Sequence, residues 1–476
     1  MKFYIDWDTN NNFTDSYDDV SDYVISADWE LGIADPYSPM CDDSFCTITL
    51  RNDDGRFNPE NSASPLFGKM LPRRPVRIEH DSDVLFQGYI GVPVSRMRPS
   101  GAYTGKTEVV VEGHGYKPFL NTLKPVLQLY ENVTTDVIIN DVLAQVVLPV
   151  SGNPSLDSMA SLETGKYTVQ AYGDFSDLTA WDVINEMATT EQGRFFFDRD
   201  GTVKFYNRHH FILQNSVSGT ITGQELVSYD YGYGRYLANR IRATASPRSV
   251  GSQESLWELD EPIEIRPNTS IEFEVRLRKQ TGQFAGGANL VATPNFSVGN
   301  AFVSVVPRGG KALVTVTNTS TSQLARLETL TIEGVPTVQQ NIIEVTVEDA
   351  SSINAYGLTE LPMSLGSVVN YSDCASIANY ELSRRNILSG DVRSITFLRK
   401  IQNNVWNYRI GDKIHLDLST FNGHQGDYLI IAERHSWNVG DLVQTEYILE
   451  PSASNQYWLL GVSGYSELGQ TTILAY

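Results

Sequence analysis

The spacing of apolar residues between positions 174 and 208 predicts one helix followed at once by a tight hairpin. Four apolar residues from Trp181 to Ala188 recur at the spacing of one helix face. Thr179 precedes them as a capping residue, and Asp182 stands three positions later, where its side chain can meet free backbone N–H groups. We take this stretch as the element around which the rest of the chain is arranged.

The hairpin is predicted from an aromatic strand, an acidic turn and a return strand. Gly193 is expected to end the helix, because the left-handed position after a helix suits a residue without a Cβ. Three phenylalanines at 195–197 begin the first strand. The turn is expected at 198–201, where Asp200 and Gly201 are the residue types that such turns favour.

Residues 1–115 are predicted to be β-rich, because short alternating segments are separated by turn residues. Prolines hold a loop away from the sheet edge, and a glycine within a strand lets a neighbouring strand approach closely. Such residues build a barrel and carry no chemistry. The turn and motif residues of this part are Gly55, Arg56, Phe57, Pro75 and Gly88.

The pattern of apolar and polar residues divides the remaining chain into four parts. Residues 116–255 mix helices and strands. Residues 256–349 contain only short alternating segments at regular spacing, which predicts an inserted β-sandwich. Residues 350–455 begin with a helix and continue as strands, and residues 456–476 are a tail punctuated by glycines. The predicted fold class is therefore mainly β with a few helices (α+β).

Composition places the chain among large globular proteins. With 476 residues and 41% apolar content, it is long enough for about three or four domains with apolar cores. The net charge of −21 argues against a groove that grips phosphates, since such grooves depend on Lys and Arg. An acidic wall around a conduit would let DNA slide past, although acidity also keeps a large assembly protein soluble.

The cysteines and the hydropathy pattern predict synthesis in a reducing cytoplasm and no membrane insertion. Cys41, Cys46 and Cys374 suggest neither a disulfide framework nor a zinc site, because their number is odd and no CxxC pair occurs. The N-terminal residues contain no apolar leader, and no stretch approaches the roughly 20 apolar residues of a membrane span.

No constellation of residues predicts catalysis. The segment Gly105-Lys106-Thr107 lacks the earlier glycine that a phosphate loop requires. The two aspartates before Gly201 resemble a calcium loop, but the last ligand of such a loop is absent and a hairpin explains all three residues. No HExxH or GxSxG motif occurs. The sequence therefore predicts a protein that is not an enzyme, with no metal and no cofactor.

Three stretches resemble the tail hub (baseplate hub) and minor tail proteins of tailed bacteriophages. The first is the helix, glycine, aromatic strand and Asp-rich turn of residues 174–208. The second, between residues 50 and 90, is the order Leu-x-Asn-x-x-Gly-Arg-Phe, a Pro/Asn/Ser loop, Leu-Pro-x-x-Pro-Val-Arg-Ile and Leu-Phe-x-Gly-x-Ile. The third runs from Ile410 to Pro451 and contains the turn residues Gly411 and Asp412.

The resemblance implies a structural virion protein at the tip of a phage tail. It implies a homotrimer in which two tail-tube-like β-barrel domains per chain, at 1–115 and roughly 365–455, give a pseudo-hexameric ring. The ring would join the tail tube or distal tail protein to a tip or central fibre protein. The tape measure protein is a further partner, and DNA would only pass through the channel, whose wall we expect to be acidic.

Two alternatives remain open at this point. The first is a tail-tip adhesin that binds host surface glycan through the sandwich at 256–349, although few aromatic residues are available there to stack on sugars. The second is a cell-wall hydrolase, which loss of turbidity with purified peptidoglycan would reveal; we expect no such loss.

Overall fold

The structure is a computed structural model and describes residues 1–81, 83–97, 106–173, 178–214, 216–308, 310–400, 407–438 and 442–452, with the backbone of 457–458 and 473–474. Residues 174–177 of the predicted helix–hairpin stretch and most of the predicted tail at 456–476 lie outside the described residues. Among those described, no helix is long and apolar enough to cross a membrane.

The N-terminal part consists of seven strands separated by turns and loops. Alternation explains the strands: Cys46, Ile48 and Leu50 on one of them are fully buried, whereas Arg51 at its end is exposed. The strands are β1 (Lys2–Ile5), β2 (Val24–Gly32), β3 (Phe45–Arg51), β4 (Pro75–His80), β5 (Asp83–Ile90), β6 (Val94–Met97) and β7 (Thr107–His114).

The middle part mixes short helices with short strands. Its elements are α1 (Lys117–Thr122), β8 (Tyr130–Thr134), α2 (Thr135–Leu143), β9 (Ala160–Leu162), β10 (Thr168–Tyr172), α3 (Ala180–Glu191), β11 (Arg194–Phe197), β12 (Val203–Tyr206), α4 (His210–Leu213), β13 (Gly219–Thr222) and β14 (Ser228–Tyr233). Helix α3 packs against α1, α2 and β11, so it lies at the centre of this part.

The predicted helix and hairpin are confirmed as α3, β11 and β12. The Thr179 hydroxyl accepts a hydrogen bond from the Asp182 N–H at 3.2 Å, and the Asp182 carboxylate accepts one from the Thr179 N–H at 3.1 Å. Strands β11 and β12 pair in antiparallel register, and the turn residue Gly201 has a φ of +81°. Local capping and turn chemistry therefore define this unit.

The predicted end of α3 is wrong by one residue. The left-handed residue is Gln192, with a φ of +56°, and not Gly193. Gly193 is required for a different reason, since a Cβ at this position would lie 2.5 Å from the Tyr206 carbonyl oxygen. The glycine therefore lets β11 leave the helix directly beside β12.

The next part contains two facing sheets around one apolar core. Its strands are β15 (Arg240–Ala245), β16 (Arg248–Val250), β17 (Glu254–Glu258), β18 (Ile263–Ile265), β19 (Thr269–Arg276), β20 (Gly286–Val298), β21 (Phe302–Arg308), β22 (Lys311–Asn318), β23 (Ala325–Gln339) and β24 (Ile343–Glu348). Strands β16, β17, β18, β20 and β23 form one sheet, and β19, β22 and β21 form the other. The chain enters and leaves these sheets through β15 and β24, which pair with each other.

The C-terminal part begins with two helices. Its elements are α5 (Ala350–Tyr356), β25 (Glu360–Ser364), α6 (Tyr371–Arg385), β26 (Gly390–Lys400), β27 (Lys413–Leu418), β28 (His424–Asn438), β29 (Leu442–Pro451), β30 (Tyr457–Trp458) and β31 (Ile473–Leu474). Strand β25 adds to β15 in parallel, which gives a three-stranded sheet with β24.

One 13-stranded sheet contains strands from both ends of the chain. Its main order is β1-β4-β5-β7-β3-β2-β28-β29-β26-β14, with β6 on β7, β27 on β28 and β13 on β27. The prediction of a mainly β fold with few helices is confirmed. The two strand sets predicted to form barrels are joined by pairing of β2 with β28, and no closed barrel is found among the described residues.

Candidate functional site: the seam and exposed face of the large sheet

The two halves of the large sheet meet where β2 pairs with β28, and we call this pairing the seam. It runs from Ser26 opposite Asn438 to Gly32 opposite Ala432. On its buried side, the Trp29 ring stacks on the His435 ring with a centroid distance of 5.1 Å. Burial lowers the pKa of His435, which lies beside Glu433. The seam is thus a packed junction as well as a row of backbone hydrogen bonds.

A buried ion pair fixes the hairpin tip behind the seam. The Arg199 guanidinium donates to the Glu433 carboxylate, with Nε 2.6 Å from Oε1, and also to the Tyr408 carbonyl oxygen at 2.7 Å. Burial alone would raise the pKa of Glu433, but the charge of Arg199 and its hydrogen bonds lower it to about 2. The hairpin, strand β28 and the segment before β27 are therefore held together.

The opposite face of the seam is exposed and acidic. A groove of about 380 Å³ crosses it, and Asp28, Glu30, Arg434 and Glu446 line this groove. Arg434 is shared between two carboxylates, with Nε 3.2 Å from Glu30 and Nη1 3.5 Å from Glu446. Carboxylates therefore outnumber the single guanidinium along this groove.

The acidic character continues onto β7. Glu112 lies opposite Thr47, and Thr47 lies opposite Asp28, so the two carboxylates are separated by one strand on the same face. Among the described residues, neither Asp28 nor Glu112 has a cationic partner within ion-pair distance. We name the four acidic residues on this side of the sheet the acidic face: Asp28, Glu30 and Glu112, which are exposed, and Glu446, which is half-buried.

A second cleft, of about 480 Å³, lies at the end of α6 and contains a buried charge network. The Arg194 Nη2 donates to both carboxylate oxygens of Glu450, at 3.0 and 3.1 Å, and Arg384 and Arg385 both donate to Glu381 at 3.1 Å. Burial would raise the pKa of Glu381, but the two adjacent guanidinium groups lower it. This network ties the hairpin, α6 and β29 together.

The sequence-predicted turn residues of the N-terminal part lie in separate turns and strands. Gly55 has a φ of +71°, and the Arg56 guanidinium lies 5.2 Å from the centre of the Tyr23 ring. Phe57 is buried against the same tyrosine at a ring distance of 5.2 Å. Pro75 begins β4, and a Cβ on Gly88 in β5 would collide with the His114 carbonyl.

The other predicted residues are equally dispersed. Trp181 packs against Phe195, and Asp200 accepts a hydrogen bond from the Thr202 N–H at 2.9 Å. Gly411 has a φ of +95°, and Asp412 accepts a hydrogen bond from the Arg409 N–H at 2.8 Å. The structure does not bring the predicted residues together into one site.

Sequence reasoning did not find the residues of the seam. The sequence predicts Arg199 as part of the hairpin turn and indicates no partner for it, and no pattern in the sequence singles out Glu433. The one available signal was an arginine between two aspartates in a tight turn, which is an unusual position for a fully buried side chain. No alternation pattern indicates which distant strand is the partner of β2.

The described residues show no arrangement typical of catalysis. No group of three or more His, Cys, Asp or Glu side chains in the described part of the chain is placed to hold a metal ion. Cys41, Cys46 and Cys374 are buried free thiols, and burial raises the pKa of each.

The fold of this chain is similar to the folds of two solved tail proteins. No protein family and no curated protein matches the sequence. The solved structure of the 43 kDa tail protein of prophage MuSo2 from Shewanella oneidensis is similar, with a TM-score of 0.52 and 10% identity over 95% of this chain and 99% of that one. A tail protein from Neisseria meningitidis MC58 has a TM-score of 0.51 and 9% identity over 94% and 95% of the two chains.

These similarities extend over nearly the whole of both chains, so they concern the complete arrangement and not one small motif. At such low identity they show a shared fold. The chain therefore has the fold of these two tail proteins.

Proposed function

We propose that this chain is a structural virion protein that forms the hub at the distal end of a phage tail. Three copies form a ring, and each contributes two barrel-like strand sets, one from residues 1–115 and one from roughly 365–455. The ring joins the tail tube or distal tail protein on one side to the tip or central fibre on the other. The chain has no catalytic role.

The observation that carries this proposal is the continuous sheet through the seam. Strands from the two ends of the chain form one sheet, and a sheet shared by two strand sets suits a wall that must continue from one set to the next. The buried Arg199–Glu433 pair ties the hairpin to β28 behind this junction, and the charge network around Glu381 ties α6 to the adjacent strand β29. Similarity over nearly the full length of two tail proteins agrees with this role.

The acidic face gives the proposed channel its wall. Asp28, Glu30, Glu112 and Glu446 lie on the same side of the sheet, and Arg434 pairs with two of them, Glu30 and Glu446. Because DNA affinity depends largely on cations that neutralise phosphates, such a wall repels the DNA backbone and lets DNA pass without binding. The inserted sandwich then projects away from the channel.

Light scattering and negative-stain images of the purified chain test this function. We expect a mass of three chains and a ring with a central opening. A particle that remains a single chain at every concentration, with no ring in the images, would contradict the proposal. Purified peptidoglycan should show no loss of turbidity with the same sample.

A second function, binding of host surface glycan, is favoured by one feature of the sandwich. Phe302 on β21 is 68% exposed, and its cross-strand neighbours Thr317 and Ser270 supply hydroxyl groups on the same face. An aromatic ring beside hydroxyl groups is suited to stack on a sugar. Binding of cell-wall polysaccharide by the full chain, lost in Phe302→Ala, would support the adhesin role.

A further inference from the structure

Two strands of the large sheet have open outer edges. Strand β6 pairs only with β7, and β14 pairs only with β26, among the residues that the structure describes. All four side chains of β6 are exposed, with Val94 at 59% and Met97 at 81%. On β14, Tyr231 and Tyr233 are exposed as well. Both edges thus combine free backbone groups with apolar side chains.

The edge strands of the sandwich contain prolines, which hinder pairing with a further strand. Strand β20 contains Pro294, and strand β21 contains Pro307, which lacks a backbone N–H. Neither β6 nor β14 contains a proline. Edges without proline that carry exposed apolar residues can add another strand, so β6 and β14 are suited to a partner.

The order of strands determines what that partner can be. A single run of eight strands, β6-β7-β3-β2-β28-β29-β26-β14, crosses the molecule, and every neighbouring pair in it is antiparallel. Because the number of strands is even, β6 and β14 run in opposite directions at the two ends. Strand β14 of one copy can therefore pair with β6 of another copy in antiparallel orientation. The alternation of strand direction along the sheet then continues from one copy into the next.

We propose that β14 of each copy pairs with β6 of the next copy, so that the large sheet continues from chain to chain around the ring. This inference rests on the ring described under the proposed function and names the contact that closes it. A head-to-tail contact of two different edges generates a ring when the rotation closes. The acidic face of every copy then lies on one continuous surface.

The side chains of the two edges are complementary. Val94 and Met97 supply apolar surface on β6, and Tyr231 and Tyr233 supply it on β14. The charge on each edge is neutralised within its own chain, since Arg96 donates to Glu108 at 2.6 Å and Asp230 accepts from Arg235 at 2.8 and 3.0 Å. The apolar side chains are therefore what the two edges offer each other.

Cross-linking tests the proposed edge contact. The full chain is prepared as Val94→Cys, as Tyr231→Cys and as the double variant, and each is treated with a short bis-maleimide. The three native cysteines are buried and do not compete. We expect the double variant to give covalent dimers and trimers on a denaturing gel, and both single variants to remain monomers. Met97→Cys with Tyr233→Cys is a second pair that covers a shifted register.

The controls distinguish failure of the proposed β14–β6 contact from failure of the proposed ring. Val291→Cys, exposed on the sandwich, should give no cross-link. Light scattering before cross-linking reports the number of chains. A trimer whose double variants do not cross-link, or a single variant that cross-links to itself, overturns the edge contact and leaves the ring intact. A chain that is monomeric at all concentrations overturns both.

Discussion

Arg199 and Glu433 form a bidentate ion pair with almost no exposed surface, although 234 positions separate them in the sequence. One residue lies at the tip of the hairpin, and the other lies on β28 directly behind the seam. Buried charges are tolerated only when they are paired and hydrogen-bonded. The pair therefore specifies how the hairpin docks against the large sheet.

Removal of one partner should be strongly destabilising. We expect Arg199→Ala to lower the free energy of unfolding by about 3–5 kcal/mol, because Glu433 is then left as a buried charge without a partner. Chemical denaturation followed by tryptophan fluorescence measures this loss, and Trp29 beside the seam should report it.

The matched control replaces both charges. Arg199→Met combined with Glu433→Leu removes the pair without leaving a charge, so its loss should be much smaller than that of Arg199→Ala. Equal losses in the two variants would contradict this account and would indicate that shape, and not charge, holds the hairpin tip.

The N-terminal loop should make stability depend on pH. Burial, together with the charges of Asp15 and Asp6, raises the pKa of Asp18 to about 6. The folded chain therefore binds this proton more tightly than the unfolded chain, whose Asp has a pKa of about 4. The stabilisation is fully present below pH 4 and is lost as the pH rises through about 6.

Asp18→Asn tests this pH dependence. We expect a higher melting temperature than that of the native chain at pH 7.5, and a much smaller difference at pH 4.5, because the folded native chain then holds Asp18 protonated. Asp22→Asn, at an exposed position in the next turn, serves as the control and should give no such difference. An equal effect of Asp18→Asn at both pH values would contradict the assignment.

Gly193 should be intolerant of any side chain although its backbone is not left-handed. We expect Gly193→Ala to cost about 1–3 kcal/mol, because the new methyl group would lie 2.5 Å from the Tyr206 carbonyl oxygen. Gly91→Ala is the matched control, since the nearest atom to its Cβ is 3.7 Å away. Thermal melting of the two variants should differ by several degrees.

The elements that the sequence predicts are those governed by local chemistry. The capping residues Thr179 and Asp182 are three positions apart, and Gly201 acts within its own turn. Such short-range patterns can be recognised in the sequence. The end of α3 was misplaced because a close contact with β12, and not a backbone angle, requires Gly193. Such a contact becomes visible only when the two strands are paired.

The seam and the full extent of the sheet depend on contacts that no local pattern encodes. Strand β2 pairs with β28 about 400 positions later, and both are ordinary alternating strands. Strands β13 and β14 lie within the mixed middle region of the sequence, yet they pair with β27 and β26. They are four and six residues long, which is too short for periodicity to assign their partners.

The acidic face should govern whether the ring retains DNA. We expect the native ring to show no binding of a short DNA duplex at low salt. The variant Asp28→Lys with Glu112→Lys should bind it, because each change replaces a repelling charge with an attracting one on the proposed channel wall. Fluorescence anisotropy of a labelled duplex measures this binding, which should fall steeply as salt increases. Asp260→Lys with Glu261→Lys makes the same charge change on an exposed turn of the sandwich. If this control binds DNA as tightly, net charge alone explains the effect and the acidic face is not the channel wall.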